Sequence, residues 1–233
     1  MLEVDKLYYS YPDGVCAING FTCKIRSGIN TGLIGPNGAG KTSLAFVMVG
    51  LVEPAAGEIR WKEKKVLKES WKEILKEITL TFTNPDDQLF MPTVVDDVAF
   101  SLVSTGMAKE KARCMAYDFL KRMGLSPLAN RFPGHLSSGE KRLVALAGAL
   151  ISEPHLLILD EPTAFLDPYG RRQLINFIKT FSCAKLCISH DLRFIKEICS
   201  EVILMDGGKN VAEGSSSDIL SNEHLLRKHR LEV

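Results

Sequence analysis

No stretch of this chain stays apolar for long. The two longest apolar runs, 44–52 and 143–151, stop well short of the roughly 20 residues that a membrane-spanning helix needs. Excess charge is missing too. Lys and Arg number 29 against 28 Asp and Glu, a net charge of +1, so no electrostatic footprint invites a polyanion, and nucleic acid is not an expected partner. The 6 cysteines (Cys16, Cys23, Cys114, Cys183, Cys187, Cys199) lack the tight, paired spacing of a zinc site or a disulfide framework. Cys183 and Cys187 lie in or beside a strand-like run, and all six are expected as buried, reduced thiols. Internal repeats, low-complexity tracts and long linkers are absent. The opening residues carry no basic-then-apolar signal, so a soluble cytosolic protein is expected. What is present is a hydrophobic fraction of 45% in 233 residues. That suffices for a packed core and allows one large domain or two small ones.

The first third reads as β-rich. Leu2, Val4 and Leu7 lead into a tyrosine-rich stretch that ends at a Pro12–Asp13–Gly14 turn, and Phe21, Cys23 and Ile25 alternate. A strand over 31–34 precedes a helix expected over 42–52. Strands follow over 58–61 and 78–82, with a short helix between them whose Ser70 and Glu73 have capping-box spacing. From 84 to 151 the pattern turns helical. Thr93 with Asp96 caps one helix, Gly124 closes a second, and 137–151 forms a third. After that, strands (156–159, 186–189, 201–205) alternate with helices (168–181, 191–200), and Asp206, Gly207 and Gly208 turn a last hairpin. Such alternation argues for a largely parallel sheet with ligands at the strand C-termini.

The most specific stretch is Gly35, Pro36, Asn37, Gly38, Ala39, Gly40, Lys41 and Thr42, followed by Ser43. It fits G-x-x-x-x-G-K-[ST] between a strand and a helix. Glycines let backbone amides turn inward on phosphate oxygens, and the helix start adds its positive end. Lys41 supplies a point charge and Thr42 a hydroxyl for Mg²⁺. Farther on, four apolar residues end in Asp160 and Glu161. Adjacent carboxylates at a buried strand tip repel unless a cation and a proton-accepting task separate them. Asp160 is thus the candidate Mg²⁺ ligand, and Glu161 the candidate base for water attacking a γ-phosphate. Alone, the pair would more simply be exposed acids at a strand end. His190 follows the next strand and is a candidate γ-phosphate partner, although a lone histidine there is more often a surface residue. Ser137, Ser138, Gly139 and Glu140 open a helix with a capping box, and that helix start is also an anion site. It lies away from the phosphate loop and would meet a nucleotide held by a second subunit.

Together these motifs resemble the ATP-binding-cassette family, nucleotide-binding subunit, over nearly the whole chain. Gly35 to Thr42 is similar to the Walker A loop, and the strand ending at Asp160 to Walker B, with Glu161 in the catalytic position. Leu136 to Glu140 resembles the signature, Thr163 to Asp167 looks like the D-loop, and His190 falls at the switch histidine. Tyr11 matches the aromatic that stacks on adenine. The resemblance implies an α/β P-loop NTPase (RecA-like) core with an antiparallel β subdomain and an inserted α-helical subdomain. The core is expected in 1–83 and 152–233, and the helical insertion in 84–151. It also implies ATP and Mg²⁺ as cofactors, a second ATPase subunit in a head-to-tail dimer, and transmembrane partners. The implied location is peripheral, at the cytoplasmic face of the membrane. The run from Asn84 to Phe90 is similar to the ATPases of energy-coupling-factor importers for metal ions and vitamins.

Three departures accompany the resemblance. Thr83 stands where the family has a glutamine and is expected to be too short to span to Mg²⁺ and the attacking water; Gln88 is not expected to replace it. Ser138 and Glu140 replace a glycine and a glutamine, and the added carboxylate is expected to weaken phosphate binding unless a cation screens it. The chain stops at Val233, short of the extension many relatives carry, so weak pairing without ATP is expected. A soluble ATPase of repair or translation and a small-molecule kinase remain as alternatives. The former usually shows a coiled-coil insertion or two cassettes, and the latter has no use for the signature.

Overall fold

The structure, a computed structural model, describes residues 1–231; Val233 lies outside the described residues. In chain order the strands and α-helices are β1 (Leu2–Ser10), β2 (Cys16–Ile25), β3 (Asn30–Ile34), α1 (Lys41–Met48), β4 (Ala56–Trp61), β5 (Lys64–Lys65), α2 (Trp71–Ile74) and β6 (Ile78–Thr81). Then come α3 (Val94–Ser104), α4 (Lys109–Arg122), α5 (Ser138–Leu150), β7 (Leu156–Asp160) and α6 (Pro168–Lys179). The chain continues through β8 (Ala184–Ile188), α7 (Leu192–Ile198), β9 (Glu201–Asp206), β10 (Lys209–Ser215), α8 (Ser216–Ser221) and α9 (Glu223–Lys228). Two sheets form. One is antiparallel, in the order β2-β1-β4-β5; the other runs β10-β9-β3-β8-β7-β6. The second is parallel from β9 to β6, with β10 antiparallel at its edge.

The parallel sheet is covered on both faces, and the period of two along each strand shows it. Leu156 and Ile158 join the core shared with the antiparallel sheet and α1, whereas Leu157 and Leu159 join the core shared with α3, α5, α6 and α7. Ile203 and Met205 divide from Val202 and Leu204 in the same way. Full burial of each such side chain contributes about 1.5–3 kcal/mol. α3 to α5 bury Val94, Val98, Leu120, Val144 and Leu146 among themselves and against the sheet. Strand order then positions the site: β3, β8, β7 and β6 are neighbours, so the loops after Ile34, Ile188, Asp160 and Thr81 leave the sheet side by side.

Several local expectations change. α1 ends at Met48 rather than reaching 52, because Gly50 takes φ 69°. The Leu51 amide then donates to the Phe46 carbonyl and the Gly50 amide to that of Val47, a Schellman closure. Ser70 does not cap α2: its hydroxyl turns back to the Leu67 carbonyl (2.6 Å), and Glu73 pairs with Lys76. Cys16 and Cys114 are exposed and Cys183 is only half-buried, so three of the six cysteines are in the core; all six are free among the described residues. The unexpected α8 and α9 are capped by Ser215 and Asn222. Each is too short for an apolar period to stand out.

Candidate nucleotide-binding site

The loop from Gly35 to Gly40 joins β3 to α1 in a shape that requires glycine. Gly40 has φ 99°, and a Cβ there would lie 2.1 Å from the Ala17 carbonyl oxygen; Gly38 has φ 79° and faces open space. No side chain caps α1, and its first turn holds no acid. The amides of Gly38 and of Gly40 through Ser43 find no acceptor among the described residues. Unpaired amides around a concave turn, at the positive end of a helix, form an anion site. The Lys41 ammonium folds onto the Gly35 and Pro36 carbonyls at 2.8 and 3.0 Å. Burial pulls its pKa below the usual lysine range, against the pull of Glu161 and Asp160. An incoming phosphate would offer this cation a charged partner in place of two neutral ones.

Asp160 ends β7 opposite that loop and is 1% exposed. Its carboxylate accepts the hydroxyls of Thr83 (2.7 Å) and Thr42 (3.0 Å), and it forms no ion pair among the described residues. Burial raises its pKa, with Glu161 adding to the rise and the two hydroxyls and Lys41 opposing it. A buried carboxylate with only neutral donors, next to a hydroxyl and the anion site, suits a hard divalent cation. Among the described residues no group of three or more His, Cys, Asp or Glu is placed to hold a metal ion by itself. A cation here would therefore keep waters and lean on phosphate oxygens, the habit of Mg²⁺.

Glu161 takes φ 44°, a left-handed backbone costing about 1–3 kcal/mol in a non-glycine residue. Its amide is held by the Ile188 carbonyl at 2.9 Å. The same Oε2 meets the Ser189 hydroxyl (3.0 Å), the His190 amide (3.3 Å) and His190 Nδ1 (2.9 Å). The carboxylate is thus aimed and held, while the His190 side chain remains 65% exposed. Tyr11 hydrogen-bonds Ser43 Oγ at 2.6 Å and meets Tyr9 edge to face, which sets its ring beside the phosphate loop.

Other predicted residues stand apart. Ser137 caps α5, and its amide and hydroxyl both donate to Glu140 Oε2 at 2.8 Å. Nothing from Ser137, Ser138, Gly139 or Glu140 bonds to the phosphate loop of the same chain. Asp167 caps α6 through the Gly170 amide (2.6 Å) and reaches no residue of the site. A cleft of about 710 Å³, lined by Glu3, Lys24, Arg60 and Glu213, lies away from all of these residues. Cavity size therefore does not mark this site: an anion site made of amides on an open loop needs no enclosed cavity.

The family model described as "ABC transporter" matches residues 18–164, more than half of the chain. The chain belongs to the ABC transporter family. A putative ABC transporter ATP-binding protein of Gloeobacter violaceus is 43% identical over 234 residues, covering 100% of this chain and 96% of that protein. The energy-coupling factor transporter ATP-binding protein EcfA of Methanothermobacter thermautotrophicus is 37% identical, covering 100% of this cassette and 76% of that protein. Among solved structures, cbiO1 of Clostridium perfringens, part of the ABC transporter complex cbiONQ, superposes with a TM-score of 0.83 at 32% identity. That match covers 100% of this chain and 95% of the other.

Two residues of the cassette's site, Ser189 and Arg142, give little sign of themselves in the sequence, and Thr83 makes a contact that its short side chain does not announce. Ser189 stands out only as the neighbour of His190. Thr83 does reach the acidic tip, because β6 lies directly against β7 and brings its hydroxyl to Asp160. Arg142, 3% exposed on α5, donates to the Phe82 and Thr83 carbonyls. An arginine in an amphipathic helix gives no hint of this. Gln88 is occupied elsewhere, between the Phe82 amide and the Ala145 carbonyl.

Proposed function

We propose that this cassette binds ATP with Mg²⁺ and hydrolyses it to drive a membrane importer of the energy-coupling-factor type, for a metal ion or a vitamin. The observation that carries the reading is the juxtaposition of an uncapped amide nest, at Gly38 and at Gly40 through Ser43, with an acidic tip split into two roles. Asp160 is buried among hydroxyls, and Glu161 is held by Ser189 and His190. Lys41 and the loop amides would grip the β- and γ-phosphates, and Tyr11 would stack on the adenine. Thr42 and Asp160 would hold Mg²⁺, whose chemistry there is to neutralise charge between the outer phosphates. Glu161 would take a proton from the attacking water, a task worth about 10²–10⁴ in rate. His190, exposed and tied to Glu161, would hold that water and the γ-phosphate.

Ser137 to Glu140, which make no hydrogen bond to their own phosphate loop among the described residues, would face the nucleotide of a second cassette, with Asp167 at the seam. The exposed Phe90 and Phe100 meet edge to face at 4.9 Å beside a cleft of about 260 Å³ that Phe82, Gln88 and Ala145 also line. A helix of a transmembrane subunit would dock there, on the cytoplasmic face of the membrane. Among the described residues no helix is long and apolar enough to cross a membrane.

Glu161→Gln keeps the size and removes the base. It is expected to stop turnover, spare ATP affinity and accumulate an ATP-bound dimer visible by size-exclusion chromatography. A strictly monomeric variant in millimolar Mg-ATP would contradict the sandwich.

A further inference from the structure

Arg142 is the one charged residue buried within α5. Its guanidinium forks onto consecutive carbonyls, those of Phe82 at 2.8 Å and Thr83 at 2.5 Å, and its Nε has no partner among the described residues. Burial works against its charge, and the Asp160 carboxylate works for it. Gln88 fastens the same segment from the other side, accepting the Phe82 amide at 3.4 Å and donating to the Ala145 carbonyl of α5 at 3.0 Å. The Phe82–Thr83 backbone is thus riveted to α5 at three atoms. From it the Thr83 hydroxyl reaches Asp160 Oδ2 at 2.7 Å, where Thr42 also donates. α5 begins at the capped turn of Ser137 and Glu140. A continuous chain of hydrogen bonds therefore runs from the helix of the signature to the carboxylate at the tip of β7.

We propose that Arg142 and Thr83 act as one positioning unit for Asp160. Arg142 fixes the Phe82–Thr83 backbone on α5, and the Thr83 hydroxyl orients the carboxylate for the cation. Two residues then serve where the resemblance expects one long glutamine, and a shift of α5 is felt at Asp160. The inference rests on the reading that Asp160 serves the Mg²⁺ of Mg-ATP. Hydrogen bonds that orient a metal-binding carboxylate are typically worth about 10- to 100-fold in metal affinity.

The test compares the affinity for a fluorescent ATP analogue in Mg²⁺ with that in EDTA; the ratio is the gain due to metal. Thr83→Val, which keeps shape and loses the hydroxyl, is expected to cut this gain about tenfold and leave the EDTA affinity unchanged. Thr83→Ser keeps the gain. Arg142→Met cuts it to the same degree, and the double variant loses no more than either single one, because both act through one chain of contacts. Should Arg142→Met not fold, Arg142→Lys, which keeps the charge without the forked grip, takes its place. An undiminished gain in Thr83→Val, or losses that add in the double variant, overturns the positioning unit. A wild type that gains nothing from Mg²⁺ overturns the parent reading of Asp160 instead.

Discussion

The signature helix holds an anion where a phosphate is expected. Glu140 Oε2 takes both the amide and the hydroxyl of Ser137 at 2.8 Å, which pulls its pKa below the usual value of 4.5. Arg131 adds a small pull in the same direction. A γ-phosphate on the Ser137 donors would have to displace this carboxylate or stand about 4 Å from it. Because Glu140 lies near the surface, the water value applies, about 1 kcal/mol per pair of unit charges at that distance. A phosphate bearing two charges meets about 2 kcal/mol, or roughly 30-fold in affinity. Glu140→Gln removes the charge and keeps an oxygen for Ser137. It gives up about 0.3–1 kcal/mol of favourable charge at the helix start. In the Glu161→Gln background, sedimentation velocity in Mg-ATP should show the dimer midpoint falling by about 10- to 30-fold near 0.1 M salt. The difference should fade near 1 M, where the screening length is about 3 Å. Equal midpoints at low salt, or a difference indifferent to salt, would refute the reasoning.

Asp97 offers a pH test. Its Oδ1 accepts the Phe90 and Met91 amides at 3.0 Å, Oδ2 is buried without a partner among the described residues, and burial raises its pKa from 3.8. A raised carboxyl favours the fold below pH 3.8, and that benefit is lost as pH climbs through the folded value. Asp97→Asn keeps the acceptor and removes the titration. Its stability relative to wild type should therefore rise with pH over that window; a flat or falling difference in urea melts would contradict this. Gly40→Ala places a Cβ 2.1 Å from the Ala17 carbonyl oxygen at φ 99°. It should cost about 1–3 kcal/mol, at about 2–4 °C of melting temperature per kcal/mol, and weaken ATP binding. An unshifted melt would mean the loop is not held against the antiparallel sheet.

Motifs whose geometry is set by neighbours in the chain are legible in the sequence. Gly35 to Ser43 form their loop from local glycine angles and a helix start. Ser137 and Glu140 form their capping box within four residues. The Thr93 cap of α3 and the Gly124 stop of α4 follow the same logic. Errors fell where a backbone choice competes with a pattern. The apolar run through 52 suggested a longer helix, but Gly50 ends it. Ser70 and Glu73 had the right spacing for a cap, yet the Ser70 hydroxyl found the Leu67 carbonyl first. Cys16, expected in the core with the other cysteines, is instead the exposed first residue of β2.

Local sequence was enough for the phosphate loop, the acidic strand end and the helix caps, because each depends on residues a few positions apart. Which of these meet was decided by strand order. Placing β3, β8, β7 and β6 side by side brings Thr42, Thr83, Asp160, Glu161 and Ser189 to one edge, although Thr42 and Asp160 are 118 positions apart. The same folding buries Arg142 on two backbone carbonyls, a placement no pattern in α5 announces. Side-chain type and spacing encode short-range geometry; contacts across a sheet exist only once the whole core has packed.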